Sequence, residues 1–195
     1  MVLLQEARIS DKLTAIMEYH EIIWDLATAF IYNGKPAGVL TASEATPLMR
    51  CMVLTPEPLL RVPKSMLITR YALSGNGSSL VVVNFHCVNF EWGTAGYRRL
   101  WQEVVKILAP HAGPLIVAGD FNTWSPARMR IVEEGMARLG LVSVAFQNDT
   151  RSMFWGYAVD HIYYRGLRQL EARVLPVDSS DHHPMMVKFK SCDSS

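Results

Sequence analysis

Val177-Asp178-Ser179-Ser180-Asp181-His182-His183-Pro184-Met185 places carboxylate and imidazole groups directly before an apolar run that continues through Val187. Two other stretches also join an apolar run to polar side chains. They are Leu115-Ile116-Val117-Ala118-Gly119-Asp120-Phe121-Asn122 and Val159-Asp160-His161-Ile162-Tyr163-Tyr164. Because the polar groups stand at the ends of strand-forming runs, the three stretches together predict one site assembled where several strands end.

Length and composition predict a single domain over residues 1–195, a length that suffices for a sizeable core. Apolar residues make up 50% of the chain, which argues against intrinsic disorder. The 19 Lys and Arg residues nearly balance the 18 Asp and Glu residues, for a net charge of +1. This balance argues against a non-specific nucleic-acid coat, although it leaves a local basic groove open.

The cysteines and the apolar runs bear on the compartment. Cys51, Cys87 and Cys192 are an odd number without paired spacing, which favours a reducing compartment and predicts a cytoplasmic location. No run of about 18 apolar residues occurs, so we expect no membrane span, and the first residues do not read as a signal peptide. Val2-Leu3-Leu4 predicts a buried strand without a lead-in. We therefore expect that the sequence begins inside a domain and lacks one or more strands upstream.

The order of predicted elements favours an α/β fold in which two sheets pack face to face with helices outside. Helices are predicted over about 11–19 with Ser10 as cap, over about 95–108 with Thr94 as cap, and over about 126–139 after Ser125. Residues 80–86 are almost continuously apolar, as a central strand covered on both faces would be. The other predicted strands are 24–32, 38–43, 66–73, 115–118, 159–164, 172–176 and 185–189, with turns at 33–34 and 74–77.

Glu6, Asn84 and His86 are weaker candidates for function. Glu6 ends an apolar strand, where it is either a solvated strand end or a ligand for a hard cation such as Mg²⁺. Strand alternation puts Asn84 and His86 on one face of the central strand. Two polar groups on so apolar a strand need partners, which either a core hydrogen-bond network or a functional site would supply.

Gly119-Asp120-Phe121-Asn122 is a stronger signal. The glycine permits a sharp bend at the strand end, and Asp120 and Asn122 project to the same side. A carboxylate there can orient or deprotonate a water, and an amide can donate to a phosphoryl oxygen. The alternative is an Asx turn that leads into the helix after Ser125.

Two further stretches, Asp160-His161 and Asp181-His182-His183, complete the titratable set. A carboxylate that holds an imidazole fixes its tautomer and supports its protonated form. A zinc site is the alternative for the histidines, although the usual ligand spacing is missing. A serine hydrolase fits less well because the Gly-x-Ser-x-Gly elbow is missing, and no Walker loop occurs. Metal-assisted phosphoester hydrolysis is the chemistry that best uses the whole constellation of Glu6, His86, Asp120, Asn122, Asp160, Asp181 and His182.

Five motifs, in this order, resemble those of the endonuclease/exonuclease/phosphatase superfamily. This DNase I-like class includes abasic-site endonucleases, inositol-polyphosphate 5-phosphatases and sphingomyelinases. The motifs span almost the whole chain, and their arrangement is also similar to a bacterial branch, the YafD-like proteins. The motifs are Leu4-Gln5-Glu6, Asn84-Phe85-His86, Gly119-Asp120-Phe121-Asn122, Asp160-His161-Ile162 and Ser180-Asp181-His182-His183-Pro184.

The resemblance implies a four-layer α/β sandwich, two mixed β-sheets flanked by helices, with the site at one end. It implies Mg²⁺ or Mn²⁺ held by Glu6, with Asp181 beside the metal, and in-line attack of water. Asp120 would position or deprotonate that water. The catalytic residues it implies are His86, Asp120, Asn122, Asp160 and His182, and the phosphate-binding residues are Asn89, Asn122 and His182.

The substrate is left open by the sequence. A phosphodiesterase or nuclease ranks first; a phosphomonoesterase acting on a small or inositol-like phosphate and a catalytically silent binding protein are the alternatives. The superfamily's first strand with its Asn has no counterpart here, and long basic loops are not evident. Aromatic residues near the motifs either stack on a base or sugar or cap the core, and basic residues form either a phosphate-facing rim or solvated surface. These are Trp92, Trp124, Trp155 and Tyr157, and Arg61, Lys64, Arg70, Arg98, Arg99 and Arg128.

Overall fold

The computed structural model describes residues 1–56, 63–73, 77–89, 91 and 93–192, except for the side chains of Pro56 and Pro63. Three earlier predictions fall partly or wholly outside these residues. They concern Arg61, Trp92 and most of the turn at 74–77.

Three helices and thirteen strands form in the described residues, in an order close to the predicted one. Three strands of two residues each, β8 to β10, were not predicted, because so short a segment carries no periodicity. The elements are β1 Val2–Arg8, α1 Asp11–Tyr19, β2 Ile23–Tyr32, β3 Lys35–Ser43, β4 Met49–Pro56, β5 Pro63–Ala72, β6 Ser79–His86, α2 Ala95–Leu108, β7 Leu115–Asp120, α3 Pro126–Arg138, β8 Val142–Ser143, β9 Met153–Phe154, β10 Tyr157–Ala158, β11 Asp160–Arg165, β12 Leu167–Val174 and β13 Met185–Ser191.

The larger sheet has six strands in the order β4-β5-β6-β7-β11-β8. Strands β6 and β7 run parallel, and the other pairs are antiparallel, so this sheet is mixed. Strand β6 lies inside the sheet, and it is buried on both faces, with Val81, Val83 and Phe85 on one face and Val82 and Asn84 on the other. The prediction of a central strand covered on both faces is therefore confirmed.

The smaller sheet has three strands in the order β1-β3-β2 and packs against one face of the larger sheet. Ala27, Val39 and Leu67 form a buried cluster between the two sheets. All its pairs are antiparallel, because β2 and β3 form a hairpin and β1 adds to β3 in the antiparallel sense. It is thus not mixed, in contrast to the larger sheet. Strands β12 and β13 form a separate two-stranded sheet.

Helices cover the outer faces of both sheets. Helix α1 packs on the smaller sheet, where Met17 joins a cluster with Leu40 and Ala42. Helices α2 and α3 cover the larger sheet, where Trp101 stacks on Phe121 with ring centroids 5.2 Å apart. The succession of helix, small sheet, large sheet and helices confirms the four-layer α/β sandwich.

The helix starts differ in how they are capped. The hydroxyls of Ser10 and Ser125 accept hydrogen bonds from the backbone of α1 and α3, as predicted. Thr94 precedes α2 but makes no such bond, so its predicted capping role is wrong in this respect. Val2 was predicted to be buried, yet it is 48% exposed, because β1 pairs only with β3 in the described sheet.

Candidate active site

Three neighbouring strands of the larger sheet bring three predicted residues into one row. Asp120, the last residue of β7, is the register partner of His86 on the parallel strand β6. It is also the partner of Asp160, the first residue of the antiparallel strand β11. Because partners in register project from the same face of a sheet, these three side chains lie side by side at one end of the sheet. All three are buried.

Gly119 lets β6 and β7 come close at this point. A Cβ at this position would lie 1.9 Å from the carbonyl oxygen of Phe85, and its φ is +142°. Both facts require glycine. Gly119, which was predicted to permit a bend at the strand end, lies within β7 instead, at a position where only a residue without a side chain fits.

Asn122 holds the carboxylate of Asp120 from two sides. Its backbone N–H donates to Asp120 Oδ1 at 2.9 Å, and its side-chain amide donates to Asp120 Oδ2 at 3.2 Å and to the carbonyl oxygen of Cys87 at 3.0 Å. Asn122 has a φ of 53°, a left-handed conformation that asparagine tolerates better than most residues. The ordering of Asp120 matches the predicted role of Asn122, and its contact with a phosphate stays a prediction.

The pKa of the Asp120 carboxyl is raised to about 7. Burial is the main cause, and the nearby charge of Asp160 adds to it, while the hydrogen bond from Asn122 opposes the rise. A carboxylate that titrates near neutrality can take a proton from a water molecule, which an ordinary aspartate does only weakly.

His182 and Asp160 form a close pair across the mouth of the row. His182 Nδ1 lies 2.6 Å from Asp160 Oδ2, and the imidazole is 43% exposed. This hydrogen bond raises the pKa of His182 to about 9, so that the ring is protonated at neutral pH. The dyad predicted from the two separate motifs is therefore present. In the protonated ring of His182, Nε2 also carries a proton.

His86 has the opposite electrostatic environment. Its Nε2 lies 2.8 Å from Lys64 Nζ, 3.5 Å from Asp120 Oδ2 and 3.7 Å from Glu6 Oε1. Burial, followed by the charges of Lys64 and His182, lowers the pKa of His86 to about 3. The ring is therefore neutral, and its Nε2 can accept a hydrogen bond from the Lys64 ammonium group.

Lys64 is a site residue that the sequence did not single out, because it was named only as one of several scattered basic residues. Its side chain is 13% exposed and its Nζ lies 4.0 Å from Glu6 Oε1. Lys64 lies two residues before Met66, the register partner of Phe85, so it stands at the end of β5 that adjoins the end of β6. No motif marks it, and only its contacts in the folded structure identify it as a site residue.

Glu6 stands at an irregularity of β1, and its carboxylate is 65% exposed. Pairing with β3 shifts between Leu4 and Ala7, and Glu6 has a φ of 51°. In the described part of the chain, no three or more His, Cys, Asp or Glu side chains are grouped so that they could hold a metal ion. The donor set nevertheless fits a hard cation, since Glu6 and the exposed Asp181 offer carboxylate oxygens and Mg²⁺ keeps several waters. Their metal-binding roles stay predictions.

Arg128 was predicted to lie either in a phosphate-facing rim or on the solvated surface, and it lies in neither place. It is fully buried in α3. Its guanidinium donates to the carbonyl oxygens of Val88, Asn89 and Asn122 at 3.1, 2.7 and 3.1 Å. It therefore joins the loop after β6 to the loop after β7, and so fixes two predicted phosphate-binding residues relative to each other.

Asn89 lies in the loop after β6 and makes a specific contact with an aromatic residue. Its Oδ1 accepts a hydrogen bond from Trp124 Nε1 at 2.9 Å. Its phosphate-binding role stays a prediction.

Asn84 and His161 belong to the scaffold. Asn84 is fully buried, donates to the carbonyl oxygen of Leu40 at 2.9 Å and accepts from Gln5 Nε2 at 2.7 Å, so it joins the two sheets. His161 is the register partner of Gly119 and projects from the face opposite to Asp160. Its Nε2 lies 2.6 Å from the hydroxyl of Thr123. The partners that Asn84 needs come from the core network.

The remaining basic residues lie on the surface. Arg98 pairs with Glu134 at 3.1 Å between α2 and α3, and both side chains are about half exposed. Arg70 and Arg99 are exposed. Of the basic residues considered that are described, two contact predicted site residues: Lys64 contacts the side chains of His86 and Glu6, and Arg128 contacts the backbone of Asn89 and Asn122.

Comparison with known proteins identifies the family of this chain. Residues 1–182 match the model of the Endonuclease/Exonuclease/phosphatase family. The chain belongs to this family. Its name covers nucleases and phosphatases, both of which hydrolyse phosphoester bonds. The predicted superfamily is therefore confirmed. No described helix is long and apolar enough to cross a membrane.

Three similar proteins illustrate the match. A UPF0294 protein of Vibrio cholerae is 44% identical over 195 residues, which cover 97% of this chain and 68% of the relative, so the chain spans about two thirds of it. An endonuclease/exonuclease/phosphatase structure from Bacteroides vulgatus has a TM-score of 0.71 at 13% identity, covering 97% of this chain and 84% of that one. The 3′ phosphatase NExo of Neisseria, bound to a product DNA hairpin, has a TM-score of 0.60 at 18% identity, covering 96% and 88%. The two structures show the fold alone, and the UPF0294 relative is compatible with the YafD-like branch.

Proposed function

We propose that this protein hydrolyses phosphodiester bonds by attack of water at the site formed by Asp120, Asp160 and His182. The observation that carries the proposal is the 2.6 Å contact between His182 and Asp160, whose strand neighbour is Asp120. This arrangement puts a protonated imidazole beside a carboxylate that titrates near neutrality. Such a pair supplies an acid and a base for one reaction.

Asp120 is the residue that orients the attacking water and takes its proton. As the new P–O bond forms, the bond from phosphorus to the leaving oxygen breaks, and that oxygen takes a proton from solvent. The pKa of Asp120 near 7 makes both of its protonation states accessible at neutral pH. The two hydrogen bonds from Asn122 fix the direction of the carboxylate before the substrate arrives. A group held in position needs no reorganisation during the reaction, which lowers the barrier.

His182 donates a hydrogen bond to a phosphoryl oxygen through Nε2, while Nδ1 stays bonded to Asp160. Its positive charge then stabilises the negative charge that grows on the phosphoryl group. Lys64 adds a second positive charge on the opposite side of Asp120, next to His86. The site thus combines two cations and a base at one end of the larger sheet.

Glu6 and Asp181 are the residues that would hold Mg²⁺ or Mn²⁺. The bound cation would supply further charge stabilisation at the phosphoryl oxygens. We further propose that a nucleic acid is one candidate substrate, that residues 1–195 form a single domain and that the protein is cytoplasmic. Cys51, Cys87 and Cys192 are all free thiols, which supports a reducing compartment.

The test is hydrolysis of methyl p-nitrophenyl phosphate and of p-nitrophenyl phosphate, each with Mg²⁺, Mn²⁺ or EDTA. We expect turnover of the diester that needs the cation and falls by about 10²- to 10³-fold in His182→Ala and in Asp120→Asn. The control is His20→Ala, at the exposed end of α1. Turnover of the monoester alone would show that the protein is a phosphatase and not a phosphodiesterase. Equal rates in His182→Ala and the control would refute the assigned site, and no turnover of either ester would favour a binding protein.

A further inference from the structure

The hairpin of β9 and β10 closes with an unusual residue at its turn. Tyr157 pairs with Phe154, so Trp155 and Gly156 are the two connecting residues. Their φ angles are 51° and 82°. Positive φ at both positions is the requirement of a type I′ turn, in which asparagine followed by glycine is preferred. A tryptophan in that conformation is an outlier, because its bulky side chain disfavours positive φ.

The hairpin of β2 and β3 provides an internal comparison. Tyr32 pairs with Lys35, and the connecting residues are Asn33 and Gly34, with φ of 48° and 75°. The same backbone turn is thus made once with its preferred residue and once with Trp155. Folding alone does not account for the choice of tryptophan, because this side chain is 71% exposed.

Trp155 belongs to an aromatic surface that starts at the predicted phosphate-binding residues. Its ring centroid lies 5.0 Å from that of Phe154 and 5.3 Å from that of Trp124. Trp124 in turn donates its indole N–H to Asn89, and it is two residues beyond Asn122. The aromatic rings therefore continue outward from the side of the site where Asn89 and Asn122 lie.

The base of the same hairpin is tied to the catalytic pair. Arg151 donates to the carbonyl oxygen of Asp160 at 2.9 Å. The backbone N–H of His183 donates to the hydroxyl of Ser152 at 2.9 Å, and His183 Nδ1 lies 2.7 Å from the carbonyl oxygen of Thr150. These contacts fix residues 150–152 against the loop that carries His182. The hairpin therefore has a defined position beside the dyad.

We propose that Trp155, supported by Phe154, is the stacking surface for a nucleobase of the substrate, which makes the substrate a nucleotide-containing phosphoester. This inference rests on the proposed function for the phosphate end of the substrate. A flat ring exposed to solvent suits a planar partner, since every nucleobase offers a π-face. An aliphatic chain gains more from an enclosed apolar cavity than from an exposed ring.

The test uses a variant that should not damage the fold. Trp155→Asn removes the ring and introduces the residue that the turn prefers, so we expect an unchanged or higher melting temperature. The control is Tyr19→Ala, which removes an aromatic ring that is 84% exposed at the end of α1. Binding of thymidine 5′-monophosphate and of ribose 5-phosphate to the whole chain is measured by calorimetry, which needs no turnover.

We expect Trp155→Asn to weaken binding of thymidine 5′-monophosphate by about 10-fold or more and to leave ribose 5-phosphate binding unchanged. Tyr19→Ala should change neither. Equal affinity of the folded Trp155→Asn variant for the nucleotide would overturn the proposal, as would absence of nucleotide binding by the unchanged chain. Sedimentation of the unchanged chain, but not of Trp155→Asn, with phosphatidylcholine vesicles would reassign the rings to a lipid surface. Failure of the phosphoesterase proposal would appear separately, as absence of turnover despite nucleotide binding.

Discussion

The pKa values of the two imidazoles of the site differ more from each other than either differs from the pKa of a free histidine. His86 lies inside the large sheet beside the Lys64 ammonium group, and its pKa is lowered to about 3. His182 lies on a half-exposed loop beside the Asp160 carboxylate, and its pKa is raised to about 9. The same side chain is thus neutral on one side of Asp120 and protonated on the other, because burial and the sign of the neighbouring charge differ.

This difference assigns the two histidines to different tasks. The protonated His182 can stabilise a developing negative charge, whereas the neutral His86 accepts a hydrogen bond from Lys64 and holds that cation near Glu6. The sequence motifs mark both residues as catalytic candidates without distinguishing them. The comparison also predicts which substitutions should affect the reaction most.

Asp160→Asn should have the largest effect, because it removes the carboxylate that keeps His182 protonated. We expect kcat for the diester at pH 8 to fall by about 10²-fold or more. The pH profile of kcat/KM measures the cause. In the unchanged chain, activity should rise as Asp120 loses its proton near pH 7 and fall as His182 loses its proton near pH 9.

The Asp160→Asn variant should move the alkaline limb of that profile towards lower pH. The acid limb should move in the same direction, but less, because the charge of Asp160 is only the second cause of the raised pKa of Asp120. An alkaline limb that stays near pH 9 in the variant would contradict the assignment of that limb to the pair.

Lys64→Met should have an intermediate effect and should make the two histidines more alike. Removal of the ammonium group leaves burial as the main cause of the lowered pKa of His86, so that pKa should rise, and NMR titration of the imidazole resonances measures it. We expect kcat to fall by about 10-fold, less than for Asp160→Asn, because His182 still supplies a cation. Lys64→Arg, which keeps the charge, is the control. A Lys64→Met variant with unchanged kcat would show that this cation has no part in the reaction.

The smallest effect should be on stability, and its pH dependence has a definite sign. The folded pKa of His182 lies above its unfolded value, so the stabilisation by Asp160 is fully present below about pH 6.5 and is lost as the pH rises through about 9. His182→Ala should therefore lower the melting temperature at pH 6 by a few degrees and have little effect at pH 10. Scanning calorimetry of both chains measures this. A difference in melting temperature that grows with pH would contradict the raised pKa.

Much of the fold could be predicted from the sequence because its signals are local. The continuous apolar run of β6, the Ser10 and Ser125 caps and the Asn33-Gly34 turn each depend on residues close together in the chain, and the structure confirms them. The exposure of β1 was not predictable in this way. It depends on which strands lie beside it, and the short run Val2-Leu3-Leu4 cannot specify that.

The candidate site likewise combines features that the sequence predicts with features that only the tertiary structure shows. The sequence alone determined the residue types and their order, because each motif lies within a few consecutive residues. That only glycine fits near the end of β7 depends on the Phe85 carbonyl oxygen of the neighbouring strand. The tertiary structure alone placed Lys64 on His86, put Arg128 beneath both loops, and set Trp155 beside Trp124. It also decided the charge of each imidazole. A pKa depends on burial and on charges from strands that are distant in sequence, and neither exists until the sheets have assembled.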